Sequence, residues 1–249
     1  MRPRSVPARS IVALALALLP CGAHRGRADE AVPAAAAPRW WKGNLHTHTF
    51  WSDGDDFPEM VAEWYRTHDY HFLALSDHNL LQQGLRFEKE SALEARAGGG
   101  VVGRYVDRFG TAWVERRGSG AGAEVRLKPL DEIRALVEER GRFILIPSEE
   151  VSDSSEGVPI HLNVANLRDP LAPTGGRTVR ETIDANLRAV EEQARAAGRE
   201  MLAHLNHPNF GWAVTAEDLA HAVLERHFEV FNGHPDRKST RLNSSHANI

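Results

Sequence analysis

The stretch HFLALSDH, residues 71–78, decides the fold. Phe72 to Leu75 is an unbroken apolar run that reads as a buried strand. It ends in Ser76, Asp77 and His78, polar groups that a buried strand does not need. The same grammar recurs along the chain. WKGNL runs into HTHTFWSDG, which brings His46, His48 and Asp53. RFILIPSEE ends in Glu149 and Glu150, PIHLNVANL carries His161, and EMLAHLNHP ends in His204 and His207. HFEVFNG leads to His234.

Helical patterns separate these runs. DFPEMVAEWYRTH opens with Asp56 as a capping candidate and Pro58 in the first turn. LDEIRALVEERG is a helix closed by Gly141, and TVRETIDANLRAVEEQARAAG is a long helix from cap Thr178 to stop Gly198. TAEDLAHAVLE is a further capped helix. Strand then helix, repeated, implies parallel strands in an α/β fold. Residues 82–128 break the rhythm and are rich in glycine and charge. They read as an inserted hairpin or lid with strands in TAWVERR and AEVRLKP.

Outside this region the chain changes character. Arginines in MRPRSVPARS precede the short apolar IVALALALLP and then small residues, which is the pattern of a secretory signal peptide over residues 1–28. Cleavage is expected after Ala28 or Ala23, giving an exported, periplasmic or extracellular protein. Cys21 is the only cysteine, so a disulfide framework is excluded. It is a poor lipid-attachment site because Pro20 precedes it. Residues 29–39, with AVPAAAAPR, read as a linker, and the folded domain spans 40–235. DRKSTRLNSSH, within 236–249, resembles one translated frame of a sequencing adapter and reads as a non-native tail. The net charge of −4 comes without a basic stripe, which argues against nucleic acid as a partner. No apolar run is long enough for an ordinary membrane span. Nothing in the sequence sets the oligomeric state.

Ligand-capable residues at successive strand ends are where α/β barrels build their sites. Taken singly they are weak: Asp53 suits a Ser-Asp-Gly turn, Asp77 suits a helix cap, and Glu149 and Glu150 face opposite ways. His68, His71, His221 and His227 read as solvated, and His204 as a core or surface histidine. Together, so many unpaired imidazoles and carboxylates would cost desolvation energy unless cations gathered them. Imidazole with carboxylate and without thiolate suits zinc, manganese or iron. More than one divalent ion, a hydroxide shared between two of them and a small anionic substrate are the expectation.

The order HTH, SDG, SDH, EE, H, HPN is similar to the polymerase-and-histidinol-phosphatase family, and the KGNLHTHTFWSDG opening resembles its exported members related to carbaryl hydrolases. The resemblance implies a distorted seven-stranded β/α barrel and a metal-dependent phosphoesterase. It implies that His46 and His48 bind a first metal bridged by Glu150, that His161 and His207 complete a second, and that Asp53 and His78 serve a third. It implies that Asp77 orients a ligand histidine, and it places His234 near the site. The family's closing Asp-x-His segment is not found before the adapter-like tail, so the sequence reads as a fragment with an incomplete barrel and an incomplete ligand set. A carbamate, ester or amide hydrolase of the same fold is the alternative enzyme. A degenerate binding domain is the non-enzymatic one.

Overall fold

The computed structural model describes residues 38–230 and Asn232. The signal-peptide region, His234 and the adapter-like tail lie outside them. The fold is mixed α/β. Its main sheet contains β1 (Gly43–Asn44), β2 (Phe72–Leu75), β6 (Ile144–Ser155), β7 (Val158–Ala165) and β8 (Leu202–Leu205), in that spatial order. A second sheet holds β3 (Arg86–Lys89), β4 (Arg116–Arg117) and β5 (Glu124–Leu127), ordered β3-β5-β4 and antiparallel. The seven strands implied by the resemblance are represented in the main sheet, among the described residues, by these five.

The expectation of uniformly parallel strands is corrected. β1, β2 and β6 are parallel, but β7 runs against β6 on one side and β8 on the other. The cause is the turn between β6 and β7. Glu156 and Gly157 take φ of 53° and 81°, and two successive left-handed residues make the tight hairpin that brings the chain straight back. With no room for a crossover helix, β7 must be antiparallel. Beyond β8, Phe228 pairs with Leu205 in the parallel sense, as Leu205 N donates to His227 O and Glu229 N to Leu205 O, both at 2.9 Å.

Helices α1 (Pro58–Thr67) and α4 (Leu130–Val137) cover β2 and β6 through Val61, Ala62, Tyr65, Ile133 and Val137. Phe57, not Asp56, caps α1, and the Asp56 carboxylate instead accepts from Phe57 N at 2.8 Å. α4 stops at Val137, short of Gly141, which sits at φ 78° in the turn that pairs Glu139 with Phe143. α5 (Val179–Ala197) runs from a Thr178 cap to Gly198 as its sequence requires, and lays Val179, Ile183 and Leu187 against β7 and β8. α6 (Ala216–His221) is held by a reciprocal Thr215–Asp218 capping box. An open apolar cavity of about 970 Å³, lined by Leu45, Phe72, Ile144 and Leu202, lies at the strand starts, away from the histidines.

Residues 82–128 are more than a hairpin. α2 (Glu90–Ala97) and α3 (Val101–Phe109) precede β4 and build a core of their own from Leu93, Val101, Val102, Tyr105, Val125 and Leu127. Phe57 stacks on Tyr105 with ring centres 3.8 Å apart. Glu59 is fully buried there, accepting from Tyr105 Oη at 2.7 Å and Trp113 Nε1 at 3.0 Å. Burial, outweighing those bonds, raises its pKa above the ordinary value. An acid whose folded pKa is raised costs stability increasingly as pH climbs past its unfolded value. Glu59→Gln keeps both acceptor contacts and is expected to match the wild type in Tm near pH 4 and exceed it near pH 8. A gap that does not widen with pH would refute the buried-carboxyl account.

Candidate metal centre

Each candidate side chain is aimed by the sheet. Ser76 N donates to Thr47 O at 2.8 Å, which ties the His46–His48 segment to the end of β2. A further bridge past β2 sets His78 beside Glu150, with Glu150 N donating to Asp77 O at 3.1 Å and Asn79 N to Glu150 O at 2.9 Å. On β7, Asn163 lies opposite Glu150 and His161 opposite Ser152. Asn206 N donates to His161 O at 2.9 Å, which fixes the approach to His207. His207 itself takes a φ of 25°, an uncommon conformation for a residue with a side chain and one concentrated at functional sites.

The result is one buried carboxylate inside a ring of imidazoles. Glu150 is 0 % exposed. Its Oε1 lies 3.4 Å from His46 Nε2, 3.2 Å from His161 Nδ1 and 3.4 Å from His207 Nε2. Its Oε2 lies 2.9 Å from His48 Nε2 and 3.0 Å from His78 Nδ1. Glu149, on the opposite face, accepts from Leu171 N at 3.0 Å, and burial pushes its pKa up to about 7. Asp53, with a side chain 59 % exposed, reaches His48 Nδ1 at 2.6 Å and His78 Nε2 at 3.5 Å.

Three groups have ligand atoms within 4.8 Å of one another: His46, Glu150 and His207; His48, Asp53 and His78; and His78, Glu150 and His161. The resemblance joins His46 to His48 and His161 to His207, and the rings of each of those pairs are centred 5.2 Å apart. Asp77 contacts the loop rather than a ring. It accepts from Thr49 N at 2.8 Å, Thr49 Oγ1 at 2.9 Å, Ser52 Oγ at 2.6 Å and Gln82 Nε2 at 2.6 Å. It therefore shapes the segment between His48 and Asp53.

Two participants were not singled out in the sequence. Glu229 places Oε1 2.8 Å from His46 Nδ1, while Oε2 accepts from His207 N at 2.8 Å and Asn232 Nδ2 at 3.0 Å. Asn206 Nδ2 donates to Glu150 Oε1 at 2.6 Å. Glu229 sits in an apolar run whose alternation HFEVF offered the only hint, a carboxylate among strand residues. His204 is buried, and burial lowers its pKa to about 4, so it is neutral at physiological pH.

The donor set fits divalent cations. Burial opposes charge on His46 and His48, yet their carboxylate partners (Glu150 and Glu229 for one, Asp53 and Glu150 for the other) outweigh it and raise each to about 9. His78 rises to about 10 against the same burial penalty, through Asp53 and Glu150. Glu150 is held well below the ordinary carboxylate range, its own burial outweighed by the surrounding imidazoles. Without a metal, neutral pH would leave imidazolium rings crowded around one carboxylate, with His48 and His78 edge to face and centred 4.4 Å apart. A cation replacing those protons satisfies the same lone pairs and relieves the repulsion.

Gly54 closes the loop. A Cβ there would meet Thr49 N at 2.5 Å and the His48 carbonyl carbon at 2.6 Å, both rigid backbone. Gly54→Ala is expected to push His48 and Asp53 apart and weaken metal uptake about tenfold or more, read by titration of the metal-free protein. Unchanged uptake would mean that the loop does not set the site.

No family model matches the chain, and no curated protein matches it. Six solved chains do. One of them is a crystal structure from Bifidobacterium adolescentis, named by inference a metal-dependent phosphoesterase. It aligns over 78 % of this chain and 78 % of its own, at 14 % identity and a TM-score of 0.36. A likeness at that level establishes neither a common fold nor an activity.

Proposed function

We propose that this chain is a metal-dependent hydrolase of phosphate esters, of the polymerase-and-histidinol-phosphatase kind, built on that family's barrel and exported from the cell. The observation that carries the reading is Glu150, a fully buried carboxylate with five imidazole nitrogens between 2.9 and 3.4 Å from its oxygens. His46, His48, His78, His161 and His207 would hold two or three ions of zinc, manganese or iron, with Glu150 between them and Asp53 at the exposed edge. Such ions supply Lewis acidity and bring the pKa of bound water to about 7.

The protein's own groups prepare this. Glu229, on His46 Nδ1, leaves Nε2 facing Glu150 and fixes the ring's tautomer. Asn206 orients the Glu150 carboxylate. Imidazoles are neutral when they bind a metal, so divalent ions outweigh the few carboxylates and leave net positive charge at the site. That balance favours an anionic phosphoryl group over a neutral carbamate or carboxylic ester.

The test compares the wild type with His46→Ala and His48→Ala. Metal content is measured directly, and hydrolysis is measured on p-nitrophenyl phosphate mono- and diesters beside neutral esters and carbamates. Phosphate-ester turnover that falls with metal content in both variants is expected. Preference for the neutral substrates would replace the phosphoesterase reading with that of a carbamate or ester hydrolase. A wild type that binds metal without turning over either class would be a binding domain.

A further inference from the structure

The loop between His48 and Asp53 is gripped by the inserted residues. Arg86 Nη1 donates to the Trp51 carbonyl at 2.6 Å. Arg96 Nη2 donates to the Phe50 carbonyl at 3.2 Å, and its Nη1 donates to the Ser52 carbonyl. Three consecutive carbonyls are thus taken by two guanidinium groups. The Trp51 indole donates to Lys128 O at 3.0 Å, at the far end of the same insertion. Each guanidinium also lies against a loop ring, Arg86 at 5.4 Å from Trp51 and Arg96 at 4.8 Å from Phe50. Phe50 and Trp51 are buried in the insertion's own core, beside Leu93, Val101, Tyr105 and Val125.

We propose that residues 82–128 are a clamp rather than a lid, and that Arg86 and Arg96 are positioning residues that set Asp53 against His48 and His78 and so tune that group's affinity for its ion. The inference rests on reading the histidine cluster as a metal centre. Glu150 and His161 are carried by paired strands, and sheet pairing fixes them. Asp53 has no ladder beneath it and is the exposed member of its group. Its position follows from residues 49–52, which Asp77 holds from the sheet side and the two arginines hold from the insertion. Affinity scales with the fraction of time the loop spends in the binding geometry. Charge-assisted bonds from the Arg96 fork are well suited to holding two carbonyls in fixed geometry, which the point charge of a lysine does less rigidly. Arg96 and Arg86 Nη1 point at loop backbone, and the other Arg86 nitrogens bond Glu88, so these donors are committed within the protein and not to a ligand.

The test uses the full chain stripped of metal, then titrated with Zn²⁺, for wild type, Arg86→Ala, Arg96→Ala and Arg96→Lys. Amide hydrogen exchange is read at Phe50, Ser52 and Gly54, whose N–H groups bond to Asp56 O, Thr49 O and Thr49 O. In the alanine variants these amides are expected to exchange about tenfold faster or more, while amides of β2 and β6 keep wild-type rates. One class of Zn²⁺ site is expected to weaken by about tenfold or more and the rest to stay unchanged, with Arg96→Lys in between. If Arg96→Ala fails to fold, Arg96→Lys and Arg86→Ala carry the comparison. Unchanged Zn²⁺ affinity, with or without faster exchange, overturns the proposal. So does a variant that keeps its metal and loses only KM, which would place the arginine on the substrate. A wild type that takes up no Zn²⁺ sinks the metal reading instead, and exchange in the metal-free chain then decides whether the arginines hold the loop.

Discussion

Replacing Glu150 with glutamine is expected to strip most of the bound metal and to lower hydrolysis by on the order of 10³-fold. Glu150 belongs to two of the three candidate ligand groups, and its two oxygens divide the imidazoles between them. Glutamine preserves the shape and one acceptor, so the sheet should survive, but the charge shared by five rings is gone. The metal-free variant supplies a second reading. His46, His48 and His78 are charged up to pH 9 or 10 only because carboxylates outweigh their burial. Without Glu150 the burial penalty gains ground, and all three should titrate lower, as NMR of the ring protons can follow. Glu149→Gln is the internal control. Glu149 faces away from the histidines and its carboxylate accepts from Leu171 N, so its loss should leave metal content intact. If Glu149→Gln loses metal and Glu150→Gln keeps it, the face of β6 has been misassigned.

Most of the residues in this cluster were visible in the sequence because a strand end is a local feature. An apolar run followed by a histidine or carboxylate needs no knowledge of distant chain, and His46, His48, His78, Glu150 and His207 all stand in that position, while His161 lies within its strand. The preference for Glu150 over Glu149 came from the resemblance, and the pleat then placed the two on opposite faces. What the sequence hid were features that depend on pairing. The direction of β7 hinged on Glu156 and Gly157, a two-residue turn that looks like ordinary loop until both φ values are known. α2 and α3 were obscured by the glycines at 98–100, which sit in left-handed conformations between them and read as loop composition. Glu229 was missed because its partners, His46 and His207, are far away in sequence.

The second large effect is a divergence with pH between the metal-free and metal-loaded protein. His46 and His48 rise to about 9 and His78 to about 10, against an unfolded value near 6.5. A raised histidine stabilises the fold fully below its unfolded pKa and loses that contribution as pH climbs through the folded one. Asp53 and Glu150 are depressed, and Glu229 falls to about 2, each against its own burial penalty and through its histidine partners. Their contribution is present above the unfolded carboxylate range and fades as pH falls toward the folded values. The metal-free chain should therefore be most stable between about pH 4.5 and 6.5 and lose stability steadily toward pH 9. A metal has to displace the same imidazolium protons, so its affinity should climb through that very interval, by about tenfold per pH unit for each proton released. Stabilisation by a ligand grows with the logarithm of its concentration over Kd, so the loaded protein should hold or gain stability where the bare one loses it. Thermal unfolding from pH 5 to 9, once in chelator and once in buffered Zn²⁺, tests this. Two Tm curves that part above pH 6.5 are expected. Curves that stay parallel would mean that the histidines around Glu150 are not where the metal binds.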